Sequence, residues 1–254
     1  MELKKQLTVV STLTLAELKS RYRNTFAGLF WVMINPLILF SVHGLIFKYI
    51  LKINVDKYYI FLLSGLLPWI FMSSMLTQTV NIFVTKRESL LSFQIHPFSL
   101  IISSAIDIFI NFFIPFIFLC FLLNDELSFN LYGLLSLPLL LILMFIGTVS
   151  VAISLAILQV FFRDIEYILN FFVNIMFFLT PIFYPRHLIP APYQYLVDIN
   201  PFYAIIRGFK SALWEFELEE TLTSIVDSSL FIIAFVILAT ILWKRFRNEL
   251  YLNI

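Results

Sequence analysis

The chain has 254 residues, of which 61% are hydrophobic and 13% charged, and its mean hydropathy is +0.94. Soluble domains carry roughly 25% charged residues, so this composition excludes a water-soluble fold and points to an all-α integral membrane protein. The net charge of +1 gives no electrostatic footprint for nucleic acid, and the single cysteine, Cys120, can form no intrachain disulfide.

Met1 to Tyr22 reads as an N-terminal interfacial amphipathic helix, with its boundary near residue 26. Leu3, Leu7, Val10 and Leu18 fall on one side at helical spacing, with Thr14 among them. Lys5, Lys19 and Arg23 fall on the other, and Arg21 lands near the apolar side. The alternative is a frayed cytosolic tail. The first 25 residues hold no unbroken apolar core before a small-residue cleavage site, so no cleavable signal peptide is expected.

From Phe26 no charge appears until Lys48, which is long enough to begin a membrane span. Gly28 lets another backbone approach, Trp31 suits the headgroup level, and Pro36 kinks the helix. Six transmembrane helices are expected, over about 30–50, 58–84, 99–123, 131–162, 167–182 and 225–243. The second half of the second span carries Ser73, Ser74, Thr77, Gln78, Thr79 and Asn81, which should face protein or a watery path. A short connector begins at Thr85-Lys86-Arg87-Glu88, turns apolar from Leu90 and ends before Pro97, as a small surface helix would. Asp107 is the lone acid well inside a span. It serves either as a partner for a membrane-depth polar group or sits near the inner surface. Residues 183–224 hold Pro185, Pro190, Pro192 and Pro201 yet stay rich in aromatic and aliphatic residues. They read as short re-entrant helices at the outer face, tolerable where they pack on protein or line a cavity. The whole of 1–254 reads as one transmembrane domain without internal repeats.

Lys and Arg set the orientation. With both termini cytoplasmic, the inner side holds Lys4, Lys5, Lys19, Arg21, Arg23, Lys86, Arg87, Arg163, Lys244, Arg245 and Arg247. The outer side holds only Lys48, Lys52, Lys57, Arg186, Arg207 and Lys210. The chain has six glycines and no G-x-x-x-x-G-K-[ST], so it cannot bind ATP by a P-loop.

Two motifs carry a resemblance. One is the basic-aromatic-basic run Arg21-Tyr22-Arg23 followed by Thr25, Gly28, Trp31 and Asn35-Pro36. The other is Phe161-Phe162-Arg163-Asp164-Ile165, then Thr180-Pro181-Ile182-Phe183-Tyr184-Pro185, then Ile189-Pro190 and Asn200-Pro201-Phe202. Together with the six-span layout they resemble the membrane subunit of type-2 ABC exporters, and within that class the polysaccharide-export permeases of the O-antigen (Wzm) kind. That resemblance implies a homodimer forming a channel in the bacterial cytoplasmic (inner) membrane, bound to two copies of an ABC ATPase subunit. ATP and Mg would belong to that partner, with no cofactor or metal in this chain. The substrate would be a polyprenyl-pyrophosphate glycolipid of the O-antigen class. The first and fifth spans would line its path, with Trp31 and Tyr184 among the lining residues. The segment marked by Pro181, Pro185, Pro190, Asn200 and Pro201 would gate the outer exit. The connector bearing Lys86, Arg87 and Glu88 would dock on the ATPase.

Side-chain chemistry suits that role. A hydrated glycan slides best over flat aromatic faces with polar handles. Tyr167, Asn170, Asn174 and Phe178 lie 3, 4 and 4 residues apart on one side of the fifth span, while Ile168, Phe172, Ile175 and Leu179 form an apolar side. The alternative for the two amides is interhelical glue. Arg21 and Arg23 stand where a lipid pyrophosphate needs cations, and the alternative is positive-inside anchoring. Competing functions are a teichoic acid, capsule or small-molecule exporter of the same type, a membrane enzyme acting on polyprenyl-linked substrates, and a proton-coupled transporter. An enzyme needs paired carboxylates or a metal cluster at the membrane face, and only Asp164 and Glu166 stand there, beside Arg163. A proton-coupled transporter needs several intramembrane acids, and only Asp107 qualifies.

Overall fold

The computed structural model describes residues 2–22, 30–93, 95–123 and 130–253. They form helices and no strand. Helix α1 (Glu2–Tyr22) precedes α2 (Phe30–Gly44), which loosens into a π-helical segment at Leu45–Ile50. Pro36 sits inside α2, the expected interruption of the first span. Then come α3 (Tyr58–Thr79), α4 (Ile82–Thr85), α5 (Arg87–Phe93), α6 (Pro97–Leu122), α7 (Leu131–Phe161) and α8 (Ile165–Leu179). Two 3₁₀ turns, Arg186–Leu188 and Ala191–Tyr193, lead to α9 (Gln194–Asp198), α10 (Pro201–Leu213) and α11 (Leu218–Asn253). By length and composition α3, α6, α7 and α11 can each cross a membrane, and Ile34–Ile50 and Ile165–Leu179 are shorter apolar helical stretches.

Several boundaries differ from the sequence reading, each for a physical reason. The second helix stops at Thr79 rather than 84, because Asn81 leaves helical geometry and donates to Glu166 Oε2 at 3.0 Å. Helix α8 stops at Leu179 rather than 182. Pro181 forces the preceding Thr180 into an extended conformation (ψ 128°). Helix α6 begins at Pro97, whose missing N–H costs nothing in a first turn. The last helix is the largest departure. It starts at Leu218, so residues 218–224 are its first turns and not part of an outer hairpin, and it runs to Asn253. At 36 residues it is ~54 Å long, well beyond the ~30 Å hydrocarbon core.

Helix α3 is the central pillar, touching α2, α6, α7, α8 and α10. Its first half, Tyr58 to Met72, is nearly all apolar, the pattern of a helix enclosed by others, and Phe61, Leu62, Leu63, Leu66, Leu67 and Met72 are fully buried. Small residues let the surrounding helices close in. A Cβ on Gly147 would stand 2.9 Å from Ile232 Cγ1 on α11, and one on Gly133 would stand 2.5 Å from the Ala212 carbonyl of α10. Helix α10 is strapped to α11 by Arg207, which pairs with Asp227 at 2.5 Å and Glu220 at 3.5 Å, and by Ser224 Oγ donating to the Ala204 carbonyl.

The amphipathic stripe expected on α1 is partly corrected. Val10, Leu13, Thr14, Glu17 and Leu18 turn inward, whereas Leu7 is 62% exposed. The face is chosen by polar partners as well as by apolar periodicity. Thr14 Oγ1 lies 3.4 Å from the Ser103 carbonyl of α6, and Ser104 Oγ donates to Glu17 at 3.1 Å. Lys86 pairs with the same carboxylate. Glu17→Lys should therefore release α1 from α6, at a cost of about 1–2 kcal/mol in charge-assisted contacts. Faster limited proteolysis within residues 6–20, with the rest of the chain intact, is the expected readout.

Candidate functional site

Helix α8 buries one narrow face, Leu169 and Val173, against α3 and α7. Met176 and Phe177 flank it half-buried. Ile165 and Glu166 at its start are half-buried too, and everything else on the helix is exposed. Tyr167 is 75% exposed and Phe178 69%, and Asn170 and Asn174 are exposed between them. The four thus share one open face. Neither amide makes a side-chain hydrogen bond among the described residues. On the other flank Ile168, Phe172, Ile175 and Leu179 are also exposed, with Phe172 reaching the Phe202 ring at 6.5 Å. Trp31 on α2 is 54% exposed.

The N-terminal end of α8 is stitched by a residue that sequence reasoning passed over. Gln159 is buried at the end of α7, where its amide donates to the Arg163 carbonyl at 3.1 Å and accepts from the Glu166 N–H at 2.9 Å. It therefore shapes the Arg163-Asp164 hinge from within. Its only sequence signal was being the one amide in a long apolar run.

The C-terminal end is held equally firmly. Asn200 accepts from the Phe202 N–H at 2.9 Å, capping α10, and donates to Thr180 Oγ1 at 2.8 Å. Tyr184 donates back to the Phe178 carbonyl at 2.7 Å. Phe183 stacks on the rings of both His43 and Phe47, with centroids 4.9 and 4.6 Å away and planes 7° and 8° off parallel. The first and fifth apolar helices thus meet at this turn. Of the residues assigned to an outer gate, Pro181, Pro185 and Asn200 are buried in this frame, Pro201 is half-buried, and Pro190 is exposed. The exposed apolar surface beyond is carried by Leu188, Tyr193, Tyr195, Leu196 and Ile199. Arg186 and Asp198 clasp the base of this segment at 2.6 Å, and the Asp198 hydrogen bond raises the arginine pKa above its ordinary value. A polar cavity of about 750 Å³ lies between the segment and α10, lined among others by Arg207, Trp214 and Glu220.

On the connector, Arg87 and Glu88 are exposed in the first turn of α5, while Leu90 is buried. Lys86 is half-buried and pairs with Glu17, whose carboxylate also accepts from Ser104 Oγ at 3.1 Å. Glu17, far away in sequence, gave no sign of this pairing. Asp107 is fully buried, and Asn111 donates to its main-chain carbonyl at 2.9 Å. Arg23 and the side chain of Arg21, assigned to a lipid pyrophosphate, lie outside the described residues, as does Gly28. Among the described residues no three His, Cys, Asp or Glu side chains stand close enough to hold a metal ion.

Comparison with known proteins settles the family. Residues 8–214 match the family described as ABC-2 type transporter. This chain belongs to the ABC-2 type transporter family. Its relatives include an "O-antigen export system permease protein RfbA" of Klebsiella pneumoniae, 28% identical over 231 residues (89% of this chain and 88% of the relative). A protein of the same name from Myxococcus xanthus is 24% identical over 210 residues, covering 80% and 79% of the two chains. A "Polysialic acid transport protein KpsM" of Escherichia coli is 23% identical over 218 residues, 82% of each. As an ABC-2 membrane domain, the chain is a multi-pass membrane transport subunit whose family works with an ABC ATPase.

Proposed function

We propose that this chain is the channel-forming permease of an ATP-driven exporter of polyprenyl-pyrophosphate-linked polysaccharide. The observation that carries the reading is the open face of α8. Two amides and two aromatics stand exposed on a helix otherwise built for a membrane. Unpaired amides are costly against lipid, so this face belongs against a second copy or along a hydrated path. Paired copies would supply two such faces, and a mixture of amide and aromatic groups contacts sugars weakly along both polar and apolar edges. The names of the relatives, O-antigen export and polysialic acid transport, support the polysaccharide class. The second of those names favours one further reading, a capsule-type glycan.

In this reading the chain spans the bacterial inner membrane six times, α2 and α8 being the two shorter spans. Both termini are cytoplasmic. Residues 183–217 form re-entrant helices at the outer exit. Arg21 and Arg23 meet the lipid pyrophosphate. Two ATPase subunits, carrying ATP and Mg, dock on α5. The experiment is co-purification with the ATPase, followed by hydrolysis assays with and without glycolipid. Stimulation by a polyprenyl-linked glycan supports the reading, and stimulation by small amphiphiles alone defeats it. For the docking itself, Arg87→Glu combined with Glu88→Arg should lower ATPase co-purification about tenfold, or about 1.4 kcal/mol. Undiminished co-purification and export would move the docking site elsewhere.

A further inference from the structure

The four residues after α8 are held one by one. Asn200 donates to the Thr180 hydroxyl at 2.8 Å, and Tyr58 donates to the Phe183 carbonyl at 3.1 Å. Between them Lys210 Nζ donates to both remaining carbonyls, Pro181 at 2.5 Å and Ile182 at 3.2 Å. Lys210 is 8% exposed, and its Nζ lies 3.5 Å from the centroid of the Phe61 ring. Gly65 of α3 makes the room. A Cβ there would stand 3.1 Å from both the Ile182 carbonyl oxygen and Lys210 Cε.

Burying a lysine among apolar side chains is expensive, and an apolar residue of similar length would fill the space at lower cost. What only the lysine supplies is a donor that reaches two consecutive carbonyls. Those carbonyls belong to the turn that Pro181 has removed from the helix, so no helical N–H can satisfy them. The segment beyond is different. Residues 186–199 are tied across their base by the Arg186–Asp198 pair and carry most of the exposed apolar surface of this region.

We propose that Lys210 is a positioning residue of the export path. Its Nζ fixes the Pro181–Ile182 turn against α3, so the outer end of α8 stays in place during transport. Opening of the exit then takes place beyond Phe183, in the 186–199 segment. The inference rests on the exporter reading above.

The test uses the full chain assembled with its ATPase, in a Cys120→Ser background carrying Ile182→Cys. Ile182 is fully buried, so its thiol is expected to resist a membrane-impermeant maleimide. Adding Lys210→Met should raise labelling about tenfold, the signature of an easier local opening. Export should fall while ATPase binding and hydrolysis persist. Gly65→Ala keeps the lysine but crowds the turn, and should move both readouts in the same direction by less. Should Lys210→Met fail to assemble, Gly65→Ala decides. Protection of Ile182→Cys in both variants overturns the proposal, as does labelling that rises with export unchanged. Labelling needs no glycan, so failure of the substrate assignment would leave this result standing.

Discussion

Asn174→Trp is expected to leave the protein folded and bound to its ATPase while cutting export of long chains about tenfold or more, equivalent to about 1.4 kcal/mol on the barrier to passage. Asn174 is exposed midway along the open face of α8, between Asn170 and Phe178. An indole there displaces nothing in the chain's own core, because the packed face is Leu169 and Val173. It adds bulk only to whatever lies outside. Ile175→Trp is the control. Ile175 is 39% exposed on the other flank, so the same bulk projects toward lipid or a neighbouring span, and export should be nearly unchanged. Short glycans should pass the Asn174 variant better than long ones, since a narrowed path penalises every repeat that crosses it. Normal export by Asn174→Trp together with blockage by Ile175→Trp would put the path on the other side of the helix. Measuring length distributions of exported glycan in both variants separates the outcomes.

Gly208→Ala is expected to destabilise the protein markedly. The new Cβ would collide with Ser224 Oγ and stand 2.6 Å from Leu140 Cδ2. The serine has little freedom to give way, because it donates across from α11 to the Ala204 carbonyl, one turn before Gly208 on α10. Leu140 is 1% exposed and packed in the core. Three helices, α7, α10 and α11, therefore have to shift together, at a cost of about 1–3 kcal/mol, as for overpacking elsewhere. Gly44→Ala offers the comparison. There the Cβ would meet Tyr59 Cε1 at 2.9 Å, the edge of a half-buried ring that can swing aside. Thermal stability in detergent should drop clearly for Gly208→Ala and little for Gly44→Ala. Equal losses would mean that helix contacts at α10 are looser than the distances imply.

The contrast between these two variants shows which features the sequence made readable. Apolar runs located every long helix, because hydropathy is summed over many residues and single exceptions do not erase it. The open face of α8 was readable for the same reason: spacings of 3, 4 and 4 fix which side chains share a side. Pairings across long separations were not readable. Glu17 with Lys86, Asn81 with Glu166 and Lys210 with Pro181 join residues 69, 85 and 29 positions apart, and no local period encodes them. The length of α11 was missed because its ends are polar. Helical propensity continues through Glu219 and Lys244, whereas hydropathy does not.

The enclosure of α3 has a consequence for how the protein is made. Of the four long candidate spans it is the least apolar, yet 78% of its apolar window is buried, against 17% for α11. Emerging from the ribosome, α3 comes before α6 and α7, the helices that later cover it. A helix carrying Ser73, Ser74, Thr77 and Gln78 gains least from bare lipid, so its residence in the bilayer depends on partners synthesised afterwards. Truncation after residue 93 should therefore leave a nascent chain that integrates poorly, while extension past residue 161 restores it. The interior pillar of the finished transporter thus becomes secure only once helices made after it have joined it.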